Sequence, residues 1–341
     1  MTGKKFGLAY GAVLAAFTAY VLLDTFVLPT KYSSVESTQT ISDYSQTETV
    51  NDETVITSPK ESAVSSEAQD YTSKYTQSSE ENSDTGTTSS VEEVTQSTEI
   101  TENSYSDGNI TVTLTEYYEN NTKIYVADIK LSSADYLKTA LAQNTYGKNV
   151  TQKTSEMAEE NNAVIAINGD YYGAKESGYV IRNGVLYRDY GSSDTDVLCI
   201  YSDGHFEITN CSEKTSQQLI SEGVVNAFSF GPALVQNGGV TVEKGQEVGK
   251  AMASNPRTAI GIIDDLHYVF VVSDGRTSES EGLSLSQLAR FMQNLGVSCA
   301  YNLDGGGSST MYFNGEVVNN PTTSGKSIKE RSVSDIVYIG Y

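Results

Sequence analysis

Tryptophan is absent from the 341-residue chain, and cysteine and histidine are scarce, at three and two residues. Without tryptophan, aromatic packing and any stacking on sugars fall to 23 tyrosines and nine phenylalanines. Three cysteines exclude a disulfide scaffold, and paired C-x-x-C zinc signatures are missing. Counting back from the Asp203-Gly204 turn places Cys199 opposite Ile208 rather than Cys211, so Cys199, Cys211 and Cys299 are expected as buried free thiols. His205 and His267 sit beside turn signals. They form no H-E-x-x-H motif, and without a G-x-S-x-G elbow nothing points to a Ser-His-Asp mechanism. Basic residues number 22 against 44 acids, a net charge of −22. That balance repels phosphate backbones and argues against nucleic acid as a partner. Hydrophobic content is 38%, low for a globular chain. A large polar segment must therefore dilute an otherwise ordinary core.

The apolar residues are unevenly spread. Phe6 to Leu23 form an 18-residue apolar run behind Lys4 and Lys5. It exceeds the ~7–15 residues of a signal-peptide core and approaches the ~20 needed to span a bilayer. With the lysines kept in the cytoplasm, residues 1–28 read as an uncleaved signal anchor, a single-pass transmembrane helix with the rest of the chain extracellular. Residues 29–105 read as a disordered, acidic, Ser/Thr-rich stalk. Residues 29–109 hold 16 acids and three lysines, a net of −13, and too few apolar residues to offset chain entropy.

Core-like patterning is confined to residues 106–341, enough for one domain. Period-two alternation around Glu119–Asn121 predicts a hairpin, and Asn183-Gly184, Asp203-Gly204 and Asn314-Gly315 mark three more. Val164–Ile167, Thr258–Ile263, Tyr268–Val272, Cys299–Leu303 and Val333–Ile339 read as further strands. Helix-compatible composition covers Ser133–Tyr146 and Val150–Asn161. Ser284 and Gln287 make a capping box ahead of a stripe of Leu285, Leu288, Phe291 and Met292 that Gly296 ends. The expected class is α+β, a mixed, strand-rich sheet domain with several hairpins and a few helices.

Polar clusters follow the predicted strands, where a rigid sheet can position them. Asn168-Gly169-Asp170 ends one, Asn255-Pro256-Arg257 introduces another, and Ser273-Asp274-Gly275-Arg276 ends a third. After Leu303 comes Asp304, then Gly305, Gly306 and Gly307, then Ser308 and Ser309. Three glycines let backbone N–H groups approach a ligand, the composition of an anion cradle. No lysine follows them, which excludes a Walker A loop. Arg257 and Arg276 supply guanidinium forks suited to phosphate. Asp304, Asp274, Asp170 and Glu330 offer carboxylates for acid, base or nucleophilic work in glycosidic cleavage. Together these features suggest a glycosyl phosphate. No cofactor is expected and no D-x-D-x-D-G metal loop occurs, which leaves Ca²⁺ at an acidic loop open.

These clusters occur in order as AINGDYYG, FSFGPALVQNG, NPRTAIGI, VVSDGR, GLSLSQLARFMQNLG, YNLDGGGSSTMYFNG and ERSVSDIV. The series resembles the phosphodiester glycosidase family, uncovering-enzyme-like proteins whose bacterial members are often labelled exopolysaccharide biosynthesis proteins. The resemblance favours Arg257, Asp304, Gly305 to Ser309 and Arg331 as the site, with Asp274 and Arg276 close behind, and Asn168 is a further candidate for substrate binding. Many relatives read N-G-G where this chain has Asn168-Gly169-Asp170, which weakens Asp170.

Two functions follow as expectations. One is a membrane-anchored extracellular glycosidase that hydrolyses a sugar-1-phosphodiester in a cell-envelope polysaccharide or surface glycan. The other is a non-catalytic glycan-binding or exopolysaccharide-assembly module that keeps the same pocket. Retention of every charged member of the clusters favours catalysis.

Overall fold

A computed structural model of the chain describes residues 3–34, 98–192, 195–246 and 254–341. The expected strand-rich α+β class is found, with four α-helices among the described residues and antiparallel pairing throughout the named strands. The helices are α1 (Gly3–Phe26), α2 (Thr154–Glu160), α3 (Ser216–Ser221) and α4 (Leu285–Asn294).

α1 forms where the apolar run predicted a helix, but the transmembrane span is not supported. Among the described residues no helix is long and apolar enough to cross a membrane. Most of the expected stalk, residues 35–97, lies outside the described residues. Its two flanks are paired. Thr30–Lys31 adds antiparallel to Gly147–Lys148, and Glu99–Ile100 adds to Ser104–Ser106 at a sheet edge.

A nine-stranded sheet dominates the domain. From the Glu99–Ile100 edge it passes through the hairpin Ile110–Glu119/Thr122–Leu131, then His267–Ser273, Arg257–Asp264 and Cys299–Asn302. Strand Thr122–Leu131 shows why it is buried on both faces. Tyr125, Ala127 and Ile129 point to one core, and Ile124 and Val126 to the other, the period-two consequence of the pleat. The first core is closed by Ile165, Ile167, Met311, Phe313, Val337 and Ile339 of a five-stranded sheet. α4 covers the opposite face with Leu285, Leu288, Phe291 and Met292, the stripe read from the sequence, behind the Ser284–Gln287 capping box.

Hairpin signals translate directly where the turn needs two positive φ angles. Asn183 and Gly184 have φ of 50° and 77°, and Asn314 and Gly315 have 53° and 99°. The Asp203-Gly204 hairpin differs by one residue. Tyr201 faces His205 across a three-residue loop whose last residue, Gly204, has φ of 91°. Cys199 therefore pairs with Glu207 instead of Ile208, and all three thiols are free. A second correction concerns Ser133–Tyr146. In place of a helix it holds two 3-10 turns around strand Leu137–Leu141, which pairs with Asp335–Gly340.

Candidate active site

Topology gathers the polar clusters at one end of two sheets. Arg257 pairs with Ser273 and Ala259 with Asn302. Three neighbouring strands thus deliver Arg257, Arg276 and Asp304 to the same sheet end. In the other sheet Asn168 pairs with Ile336, and Ile167 with Met311, bringing the loops after Asn168 and before Asp335 alongside. A cavity of about 490 Å³ opens there, lined by Asp304, Arg257, Arg276, Arg331, Gly305 and Gly306, with Tyr171, Lys175, Phe230 and Asn255.

Asp304 is 8% exposed. Its Oδ2 accepts from the Ser308 hydroxyl at 2.5 Å and from Arg331 Nη2 at 2.9 Å. Its backbone is pinned as well. The N–H donates to the Gly169 carbonyl at 3.2 Å, and Asn168 Nδ2 donates to the Asp304 carbonyl at 2.7 Å. Burial pushes the carboxyl pKa up, while Arg331 and Ser308 pull it back down. Asn168 itself is fully buried, its Oδ1 accepting from Thr258 and Thr310. It positions Asp304 rather than reaching the cavity.

Three guanidinium groups line the cavity with this carboxylate, and one of them, Arg331, is in direct contact with it. Arg257 is buried and donates through Nε to the Leu283 carbonyl at 2.9 Å. Arg276, at φ of 64°, is held by Asn255 Oδ1 at 2.9 and 3.2 Å and by the Thr323 carbonyl. Burial, then the neighbouring Arg331, lower the Arg276 pKa. Such crowding of like charge in a half-closed cavity favours an anion between them.

The glycines serve differently from the expectation. Gly305 N–H faces the Asp304 carboxylate, Gly306 N–H donates to the Pro256 carbonyl at 2.8 Å, and Ser308 and Ser309 N–H close the turn onto Gly305 and Gly306. The Gly305, Gly306, Ser308 and Ser309 amides thus serve the turn. A side chain at Gly306 would come within 2.9 Å of Arg276 Nη2, and one at Gly307 would collide with Thr323. Small residues here let the guanidinium close over the turn. Ser309 is buried beneath it.

The other expected carboxylates lie elsewhere. Asp274 accepts from Asn319, Asn320 and Tyr125 and borders a separate cavity. Glu330 accepts from Ser155 N–H at 3.1 Å and Ser155 hydroxyl at 2.6 Å, in the first turn of α2. Asp170 pairs at 3.2 Å with Arg182, which also meets Asp335 at 2.7 Å, all three within 3% exposure. Burial, with Asp170 nearby, pushes Asp335 up to about 7 against the opposing pull of Arg182. Lys175 and Phe230 were missed by sequence reasoning. Phe230 stood within FSFGP, whereas Lys175 carries no motif and is delivered only by the turn after Gly173.

A family model for phosphodiester glycosidase matches residues 161–340, just over half the chain. The chain belongs to the phosphodiester glycosidase family. It is 29% identical over 201 residues to a prophage-derived uncharacterised protein, YomE, of Bacillus subtilis, covering 58% of this chain and 31% of that protein. It is 28% identical over 173 residues to the mouse N-acetylglucosamine-1-phosphodiester alpha-N-acetylglucosaminidase, covering 46% and 33%. The chain thus spans about a third of the length of these relatives. The zebrafish enzyme of the same name, solved as a catalytic domain auto-inhibited by its pro-peptide, shares the fold at a TM-score of 0.55. It is 20% identical over 68% of this chain and 83% of that one. A hypothetical protein from Synechocystis shares it at 0.50, with 13% identity over 68% and 62%.

Proposed function

We propose that the protein hydrolyses the bond between a sugar anomeric carbon and phosphate in a cell-envelope polysaccharide or surface glycan. The carrying observation is that Asp304 lines one cavity together with Arg257, Arg276 and Arg331. Guanidinium forks match phosphate oxygens, and their fixed charge stabilises the phosphate as the C1–O bond breaks. A leaving group stabilised in this way needs little protonation. One carboxylate then suffices at the anomeric carbon, as base for water or as nucleophile. This accounts for Asp304 being the sole carboxylate among the described lining residues, where two were expected.

The raised pKa of Asp304 suits it to take a proton. Arg331 and Ser308 hold its Oδ2, which fixes the carboxylate in the cavity. Placement of the domain outside the cell at the membrane belongs to the same proposal, supported by the apolar run behind Lys4 and Lys5. Protease treatment of intact cells tests that placement, and survival of the whole chain would refute it.

Incubation with a panel of sugar-1-phosphodiesters and wall polymers, read by released reducing sugar, tests the chemistry. Hydrolysis abolished by Asp304→Asn is expected. Tight binding of these phosphodiesters without turnover would instead mark a binding module.

A further inference from the structure

Asp170, Arg182 and Asp335 are buried outside the lining of the cavity, two carboxylates against one cation. Arg182 meets Asp335 Oδ2 through Nη2 at 2.7 Å and through Nε at 2.8 Å, and it meets Asp170 Oδ2 through Nη2 at 3.2 Å. Its Nη1 donates to the Ile181 and Ala227 carbonyls, and its central carbon lies 3.9 Å from the Phe228 ring centroid. The remaining oxygen, Asp335 Oδ1, has no hydrogen-bond partner among the described residues. A Cβ on Gly169 would come within 2.4 Å of that oxygen, so it lies against the Gly169 backbone.

In a dry site an unpartnered carboxylate oxygen is costly, and Arg182 balances only one of the two negative charges. A proton on Asp335 removes both penalties. Burial pushes this carboxyl up to about 7 against the pull of Arg182, with Asp170 and Asp304 adding to the rise. Tyr172, from the same loop as Asp170, is the other titratable group in its field.

The trio is bonded to the walls of the cavity. Gly169 N–H donates to the Asp335 carbonyl at 2.9 Å, and the Gly169 carbonyl accepts from Asp304 N–H at 3.2 Å. Asp170 Oδ2 accepts from Ser229 N–H at 3.2 Å, and the next residue, Phe230, lines the cavity.

We propose that Asp335 is a positioning residue for the hydrolysis: protonated, it lets the Gly169 turn seat Asp304 in the cavity, and ionised, it drives that turn away. The proposal rests on the phosphodiester glycosidase reading. When the proton passes to solvent, Asp335 carries a charge that Arg182 does not balance, and it repels Asp170 and Asp304. The Gly169 turn opens to admit water to Oδ1, and the Asp304 backbone loses its anchor. The arginines keep their hold on phosphate, so kcat falls while KM changes little.

Amide exchange in the full-length protein tests this movement without substrate. The Gly169 and Asp304 amides are compared in the parent and Asp335→Asn, with the Val271 amide of the nine-stranded sheet reporting global opening. At about pH 9 both amides should exchange roughly tenfold faster in the parent, and at about pH 5 the two proteins should match. Asp170→Asn leaves Arg182 one carboxylate to balance and should abolish the same pH step, which decides the matter if Asp335→Asn does not fold. No pH step in the parent, or one that Val271 shares, would overturn the proposal. With a sugar-1-phosphodiester, kcat should decline above about pH 7 in the parent and not in Asp335→Asn, at similar KM. The same decline in both would also overturn it. Absent hydrolysis with the amide step intact would count against the reaction and leave the coupling of Asp335 to Asp304 standing.

Discussion

Arg331 Nη2 lies 2.9 Å from Asp304 Oδ2, and the two share the Ser308 hydroxyl, which donates to the carboxylate and accepts from Arg331 Nε at 3.0 Å. The pair sets the protonation of the one carboxylate among the described residues that line the cavity. Burial raises the Asp304 pKa and Arg331 opposes the rise.

Asp304→Asn keeps the shape of the side chain and removes the base. Turnover on a phosphodiester substrate should fall by roughly 10²–10⁴, with the melting temperature unchanged or higher because a desolvated carboxyl is gone. Parental turnover in this variant would remove Asp304 from the mechanism.

Arg331→Gln removes the charge that holds the Asp304 pKa down. Asp304 must be ionised to act as base, so the acidic limb of the kcat/KM profile should move to higher pH. An unmoved limb would show that another group titrates there.

Arg276→Lys keeps a positive charge and loses the fork that contacts Asn255. The expected result is weaker binding of methyl phosphate, by about tenfold, with little change for an uncharged glycoside. Equal losses on both ligands would point to a collapsed loop.

Glu330→Gln should leave turnover near the parental value. It weakens the bonds to Ser155 at the start of α2, at a cost of about 1 kcal/mol in denaturant unfolding. A hundredfold loss of turnover would return Glu330 to the active site.

The buried Asp335 binds a proton more tightly folded than unfolded, its pKa rising from 3.8 to about 7. The folded state therefore holds the extra proton between those values, and this contribution to stability declines as pH rises through that window. The stability of the parent relative to Asp335→Asn should fall from pH 4 to 7 and level off above it. A difference that stays flat with pH would refute the assignment.

How much was readable depended on whether the determinant was local. Asn183-Gly184 and Asn314-Gly315 specify their turns through their own φ angles, and the α4 cap and stripe lie within one helix. Leu137–Leu141 is a strand because Asp335–Gly340 lies beside it, almost 200 residues away, and local composition cannot report that. Within the site, residue type alone did not separate Asp304, Asp274, Asp170 and Glu330, and only the family resemblance favoured Asp304. Their donors separate them. Asp274 is taken up by Asn319 and Asn320, Glu330 by Ser155 and Asp170 by Arg182, which leaves Asp304 at the cavity. Lys175 was invisible because its place depends on where the backbone turns after Gly173.

The pairing of Thr30–Lys31 with Gly147–Lys148, and of Glu99–Ile100 with Ser104–Ser106, fastens both ends of the acidic segment to one folded unit. Residues 30–31 before the segment and 99–100 after it are thus both paired into strands of the described fold. A single proteolytic cut within the segment would leave two polypeptides held together by strand pairing and by Tyr32 against Tyr146. Release of the domain from its N-terminal piece would then require dissociation as well as cleavage.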